Sequence, residues 1–206
     1  MTVTIDPATV AARLREELRA QLAAERTPLR LTGILAGEHA PSQTYATYAQ
    51  RACMELGIHF ELRKFPRLEA EAAIRSANAD PAVHGIMVYY PIFGTEQDAY
   101  LRDLVDPGKD IEGLHSTWAR HLYDNRRFVD AAKTKKAVLP CTPLAILKLV
   151  EAAGFFHEHG RPLEGRTVTI FNRSEVVGRP LASMLAHDGA HVYSFDVDGP
   201  LSFEPP

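Results

Sequence analysis

The chain has 206 residues, with 23 lysines and arginines against 26 aspartates and glutamates, a formal net charge of −3 and a pI near 6.3. The net charge gives no basic excess to hold a polyanion, and the small cluster Lys133, Lys135 and Lys136 reads as a solvated loop, so nucleic acid is not an expected partner,. An apolar fraction of 46% is normal for a globular core,. Cys53 and Cys141 lie far apart without ligand spacing, which predicts neither a metal site nor a disulfide, and a reducing compartment. No apolar run is long enough for a bilayer and no signal-peptide pattern opens the sequence. The expectation is a soluble cytoplasmic protein.

Asp6-Pro7 supplies a cap and a first-turn proline for a helix to about Ala24, with Val10, Leu14, Leu18 and Leu22 predicted to form a buried face,. Leu29 to Leu35 reads as a strand ended by Gly37, and Ser42 as the cap of a helix that stops at Gly57,. A strand (Ile58, Phe60, Leu62), a helix (Leu68 to Asn78) and an apolar strand (Gly85 to Tyr90) follow. Strands alternating with helices predict a mostly parallel sheet, whose ligands gather beyond the carboxyl ends of the strands. Ser42 to Ala49 and Tyr89 to Gly94 lie there. A loop of acids beside a glycine, Lys109 to Leu114, comes next, and Pro140-Cys141-Thr142-Pro143 precedes a helix from Leu144 to Ala153. Aromatic, proline-rich loops at strand ends suit a flat heteroaromatic ligand, although Tyr45, Tyr48, Tyr89 and Tyr90 are also ordinary core or rim aromatics.

Thr167 to Asp196 reads as strand, tight turn, helix and strand. The first strand (Val168, Ile170) empties into Asn172-Arg173-Ser174, and Gly178 opens a helix with Pro180 in its first turn,. Backbone N–H groups at such a helix start suit a pyrophosphate, with Arg173 and Ser174 as further donors. The second strand ends in Asp196, eighteen residues past Gly178, where an acid accepts from a ribose 2′-hydroxyl and repels a 2′-phosphate. That points to NAD rather than NADP. The full G-x-G-x-x-G pattern is absent, Asn172 standing where a glycine is expected, and a structural βαβ unit meets the same description,.

Several segments together resemble the methylenetetrahydrofolate dehydrogenase/cyclohydrolase family: Ser42-x-x-Tyr45, Asn78-x-Asp80, the strand ending in Pro91, Lys109-Asp110-Ile111-Glu112-Gly113, Pro140-Cys141-Thr142-Pro143 and Arg173-Ser174-x-x-Val177-Gly178-x-Pro180. Tyr45-Ala46-Thr47-Tyr48, Gly85 to Pro91 with Phe93-Gly94, and Asn172 to Glu175 resemble its monofunctional, NAD-dependent fungal branch. The resemblance implies an α/β fold with an N-terminal three-layer folate-binding domain (1–147) and an incomplete Rossmann-like NAD-binding domain (148–206). The implied site is Tyr45, Tyr89 and Glu112 against tetrahydrofolate, with Thr142, Asn172, Arg173, Ser174, Gly178 and Asp196 along the cofactor. Glu112 stands where the family more often has aspartate.

Bifunctional members carry a lysine four positions after the tyrosine matching Tyr45, and a glutamine supporting it; here those positions are Ala49 and Tyr89. Hydrolysis of a methenyl bridge needs a positioned acid or base, which alanine cannot supply. Hydride loss leaves a cation delocalised over the folate's own nitrogens, so it needs chiefly alignment. The resemblance thus implies a dehydrogenase without cyclohydrolase activity, and by family habit a homodimer. Only two strands of the nucleotide domain are expected before the tail, and the family's Pro-Gly-Gly-Val-Gly-Pro loop is missing. A two-stranded remnant with an open edge is therefore expected. A bifunctional enzyme and a non-catalytic folate- or partner-binding module are the alternatives.

Overall fold

A computed structural model describes residues 4–25 and 27–206. Two compact units make up the chain: residues 13–116, and residues 117–206 with the N-terminal residues through 12. Helix α1 (Pro7–Ala24) starts where its cap predicts, Asp6 accepting the N–H groups of Ala8 (3.0 Å) and Thr9 (3.2 Å). Its expected buried face does not form. Val10, Leu14 and Leu22 are half-buried and Leu18 is 45% exposed. A spacing of four advances about 40° beyond a full turn at each step, which spreads these residues around the helix instead of aligning them.

In the first unit, β1 (Arg30–Ala36) runs parallel between β2 (His59–Phe65) and β3 (Gly85–Val88), with Ile34 opposite Arg63 and Val88. A central parallel strand is covered on both faces, and its side chains divide by the two-residue period. Ile34, Ala36, Ile86 and Val88 pack with Ile74 of α3 (Ala70–Ala79) and Leu101 of α4 (Glu96–Leu104). Leu35 and Met87 point the other way, onto Ala46 and Ala49 of α2 (Ala40–Glu55). These are the three expected layers.

Helix α2 begins two residues before Ser42. Pro41 fits a first turn because it has no N–H to leave unpaired, and Ser42 is buried inside the helix with its hydroxyl 2.9 Å from His39 Nδ1. The helix ends as predicted. Gly57 adopts φ 72°, and the N–H groups of Gly57 and Ile58 return to the carbonyls of Met54 and Cys53,.

In the second unit, α5 (Ser116–Tyr123), α6 (Cys141–Ala152) and α7 (Gly178–His187) accompany β4 (Thr167–Phe171), β5 (His191–Asp196) and β6 (Gly199–Phe203). Strands β4 and β5 are parallel, and β6 folds back antiparallel on β5. The edge expected to be open beside β5 is thus paired, Asp198-Gly199 supplying the hairpin turn,. The units divide between Ser116 and Thr117, ahead of the expected boundary at 147/148. Leu122 of α5 and Leu147 of α6 share one core with Leu181, Leu185 and Val192, so a boundary at 147 would cut through a packed helix.

Candidate active site

In the first unit the expected site residues gather at the carboxyl end of β3. Tyr89 and Tyr90 leave the strand toward opposite layers, Tyr89 onto the α2 side and Tyr90 onto the α3/α4 side. Tyr89 is 3% exposed and meets Tyr45 in a T-shaped contact, ring centroids 5.8 Å apart and planes at 85°. Tyr45 is 45% exposed, so part of its side chain remains open to a partner while the ring contacts Tyr89,. Ala49, one turn after Tyr45, packs against the cluster that contains Tyr89. The position where an ammonium would serve hydrolysis is therefore apolar.

Glu112 reaches the same strand end from the loop before α5. The N–H groups of Ile86 and Val88 point away from β1, and the loop supplies acceptors for both: Lys109 O for Ile86 at 2.7 Å and Glu112 Oε2 for Val88 at 3.1 Å. Glu112 thus extends the sheet's ladder by its side chain. Burial pushes its carboxyl up to about 8; the Val88 N–H opposes the rise and neighbouring Asp110 adds to it,. Burial, with the Glu112 charge second, also raises the hydroxyls of Tyr89 and Tyr90. Both hydroxyls are buried without a partner among the described residues. A polar group left this way at a strand end costs stability and is available to a ligand or water. Beside Glu112 lies a cavity of about 10 Å³, room for one water, lined by Tyr90, Arg102, Asp110 and Leu114 among others,.

The loop's sequence explains its position. Lys109 Nζ donates to the carbonyls of Ala77, Asn78 and Asp80, pinning it to the end of α3. Buried Asp110 accepts the N–H groups of Glu112 (2.9 Å), Gly113 (3.0 Å) and His115 (2.9 Å). Gly85 admits the loop: a Cβ there would lie 2.5 Å from Ile111 Cγ2.

Two contributors escaped the sequence reading. Asp98, 5% exposed in α4, accepts the N–H groups of Ile92 (3.2 Å), Phe93 (2.9 Å) and Gly94 (3.0 Å) and so shapes the loop that follows Tyr90. Thr95-x-x-Asp98 is a helix-start signal that would have located both helix and acid. Arg102, also in α4, stands 5.9 Å from the Tyr90 ring centroid,.

The second unit assembles most of the expected cofactor residues. Asn172 Oδ1 accepts the Ser174 N–H (3.0 Å) and hydroxyl (2.8 Å), forming the turn after β4. A Cβ on Gly178 would lie 2.2 Å from Asn172 O, so only glycine lets α7 approach that turn,. Ser174 Oγ accepts the Val177 N–H at 3.2 Å, and its carbonyl accepts that of Arg179 at 3.0 Å. Part of the expected set of unpaired N–H groups is therefore already engaged by Ser174. Arg173 reaches across to the carbonyls of Ser194 and Gly199. Exposed Asp196 ends β5, its Oδ1 accepting the Val197 N–H at 2.8 Å. Thr142 is exposed in the first turn of α6. Among the described residues no group of three or more His, Cys, Asp and Glu side chains could hold a metal ion, and no helix is long and apolar enough to cross a membrane.

A three-layer α/β unit with polar and aromatic groups at its strand ends, followed by a strand–turn–helix of dinucleotide type, places the chain among α/β proteins that take ligands beyond the carboxyl ends of their strands. Residues 5–112 match the model of the tetrahydrofolate dehydrogenase/cyclohydrolase catalytic domain, and residues 140–199 that of the NAD(P)-binding domain. The chain belongs to the tetrahydrofolate dehydrogenase/cyclohydrolase family. It is 47% identical over 171 residues to the methylenetetrahydrofolate dehydrogenase (NAD(+)) of Schizosaccharomyces pombe, covering 82% of this chain and 53% of that protein. The protein of the same name from Dictyostelium discoideum is 44% identical over 204 residues, 97% of this chain and 65% of its own length. The solved structure of the NAD-dependent 5,10-methylenetetrahydrofolate dehydrogenase from Saccharomyces cerevisiae superposes with a TM-score of 0.89 at 38% identity, covering 96% of this chain and 65% of that one. The chain thus spans between half and two thirds of the length of these relatives.

Proposed function

We propose that the chain serves the NAD-dependent oxidation of 5,10-methylenetetrahydrofolate to 5,10-methenyltetrahydrofolate, a step of one-carbon metabolism, without hydrolysing the product. The observation that carries this reading is the apolar Ala49 packed with Tyr89 beside Tyr45, where hydrolysis would need an ammonium. The names of the fungal and Dictyostelium relatives support it. In this reading Tyr45 stacks on the aminobenzoyl portion of the folate and Glu112 binds the pterin ring. Tyr89 closes the floor between them.

The second unit suits a dinucleotide: Gly178 lets the start of α7 pack directly on the Asn172 turn, and Asp196 ends the adjacent strand. Asn172, Ser174, Gly178 and Asp196 would hold it, with Thr142 at the neighbouring helix start. Bound there, NAD supplies a hydride acceptor. The chain's own residues orient the substrate and exclude a general base from the methylene carbon, so the cation formed is stabilised by the folate nitrogens and not attacked by an activated water. A homodimer in the cytoplasm completes the proposal.

The test is NADH formation from methylenetetrahydrofolate, followed for this chain and for a form extended by the C-terminal length of the relatives. Formation of NADH with no acceleration of methenyltetrahydrofolate hydrolysis is the expected result. Accelerated hydrolysis would favour the bifunctional reading. Folate binding without NADH from either form would make the chain a binding module.

A further inference from the structure

We propose that Arg173 straps the β5–β6 hairpin in place as the wall of the ribose site, and that this engagement deprives a 2′-phosphate of its cation and thereby restricts the site to a dinucleotide with a free 2′-hydroxyl. The inference rests on the proposed NAD site and names the residue that sets its selectivity. Arg173 leaves the turn after β4 and crosses to β5 and β6, where Nη2 donates to Ser194 O at 3.0 Å and to Gly199 O. Those two carbonyls bracket the hairpin turn that carries Asp196. Both Nη2 protons are thereby used, and Nε is buried without a partner among the described residues.

A guanidinium grips a phosphate through two parallel N–H groups on one edge. Its end edge is Nη1 with Nη2, and its side edge is Nε with Nη2. Both edges need Nη2, so neither is left for a bidentate grip. Arg179, the next cation along the chain, stands 3.8 Å from Glu175 in an ion pair. Asp196 adds a negative charge at the end of β5. Selectivity thus has two parts, a repelling carboxylate and a cation committed to backbone carbonyls.

A double-mutant cycle on Arg173→Met and Asp196→Ala separates strap from ligand, with NAD and NADP binding read by calorimetry and β6 amide exchange read by mass spectrometry. Arg173→Met is expected to speed exchange of the β6 amides and to weaken NAD binding several-fold, because Asp196 is no longer held. Asp196→Ala is expected to bring NAD and NADP affinities closer. In the Asp196→Ala background, Arg173→Met is expected to change NADP affinity by no more than about twofold. A loss there of about tenfold or more would make Arg173 a phosphate ligand and overturn the proposal. Unaltered β6 exchange in Arg173→Met overturns the strap directly. A chain that binds neither dinucleotide sinks the cofactor reading and the selectivity claim with it, while β6 exchange still decides whether Arg173 holds the hairpin.

Discussion

Glu112 Oε2 accepts the Val88 N–H at 3.1 Å, so a side chain from a loop occupies the place that a neighbouring strand's carbonyl would take at the edge of β3. The same enclosure pushes the carboxyl from an ordinary 4.5 to about 8. A raised acid pKa means that the folded state holds the proton more tightly. Its stabilising effect is full below pH 4.5, falls as pH rises, and is gone above about 8,. Glu112→Gln keeps an acceptor for Val88 and has no proton to lose. The variant is expected to gain stability relative to the parent between these limits, on the order of 4 kcal/mol by the upper one. Urea unfolding of both proteins across that range checks it, and a difference that stays flat or runs the other way rejects the enclosed acid.

Ala49 and Tyr89 share one packed cluster, so a lysine cannot be restored at 49 in isolation. Ala49→Lys is expected to cost about 1–3 kcal/mol through overpacking and loss of ammonium solvation. Adding Tyr89→Gln is expected to recover part of that loss, since it removes the ring and offers the ammonium a partner. Strictly additive effects in thermal unfolding would show that the two side chains do not compete for the same space.

Asp98 holds three consecutive N–H groups of the loop after Tyr90. Asp98→Ala leaves three donors unpaired, that of Ile92 buried and those of Phe93 and Gly94 partly so, at about 1–3 kcal/mol for each that finds no water,. Asp98→Asn retains one acceptor oxygen and is expected to lose clearly less. Equal losses for the two variants, measured by denaturant unfolding, would mean that packing rather than the carboxylate shapes the loop.

The parts of the site visible in one dimension were those encoded by local chemistry. The continuous apolar run of residues 85–88, the glycine after α2 and the strand–turn–helix around Gly178 each carry their own signal, and each formed. The contacts that place Glu112 were not visible. They depend on Lys109 reaching the end of α3, Asp110 gathering three N–H groups, and Gly85 admitting Ile111, none of which has a sequence period. Ser42 misled because a good capping residue was also a buried partner for His39. Strand β6 was passed over as a tail although Asp198-Gly199 is a hairpin signal, because the parallel pattern before it gave no reason to expect a return strand,.

Gly178 offers the sharpest test of the turn that is proposed to receive the dinucleotide. A Cβ there would lie 2.2 Å from Asn172 O, 2.5 Å from Asn172 C and 2.6 Å from Asn172 Oδ1. Two of those atoms are backbone, so no rotamer change relieves the clash; either α7 moves away or the turn opens. Gly178→Ala is expected to destabilise the second unit by about 1–3 kcal/mol or more, despite alanine's better helix propensity. The displaced turn would release Ser174 from Asn172 Oδ1, so NAD binding is expected to fall even under conditions where the variant remains folded. Calorimetric titration with NAD at low temperature, alongside thermal unfolding, measures both effects. Unchanged stability and unchanged binding would show that the close approach of Gly178 to Asn172 does not govern the turn.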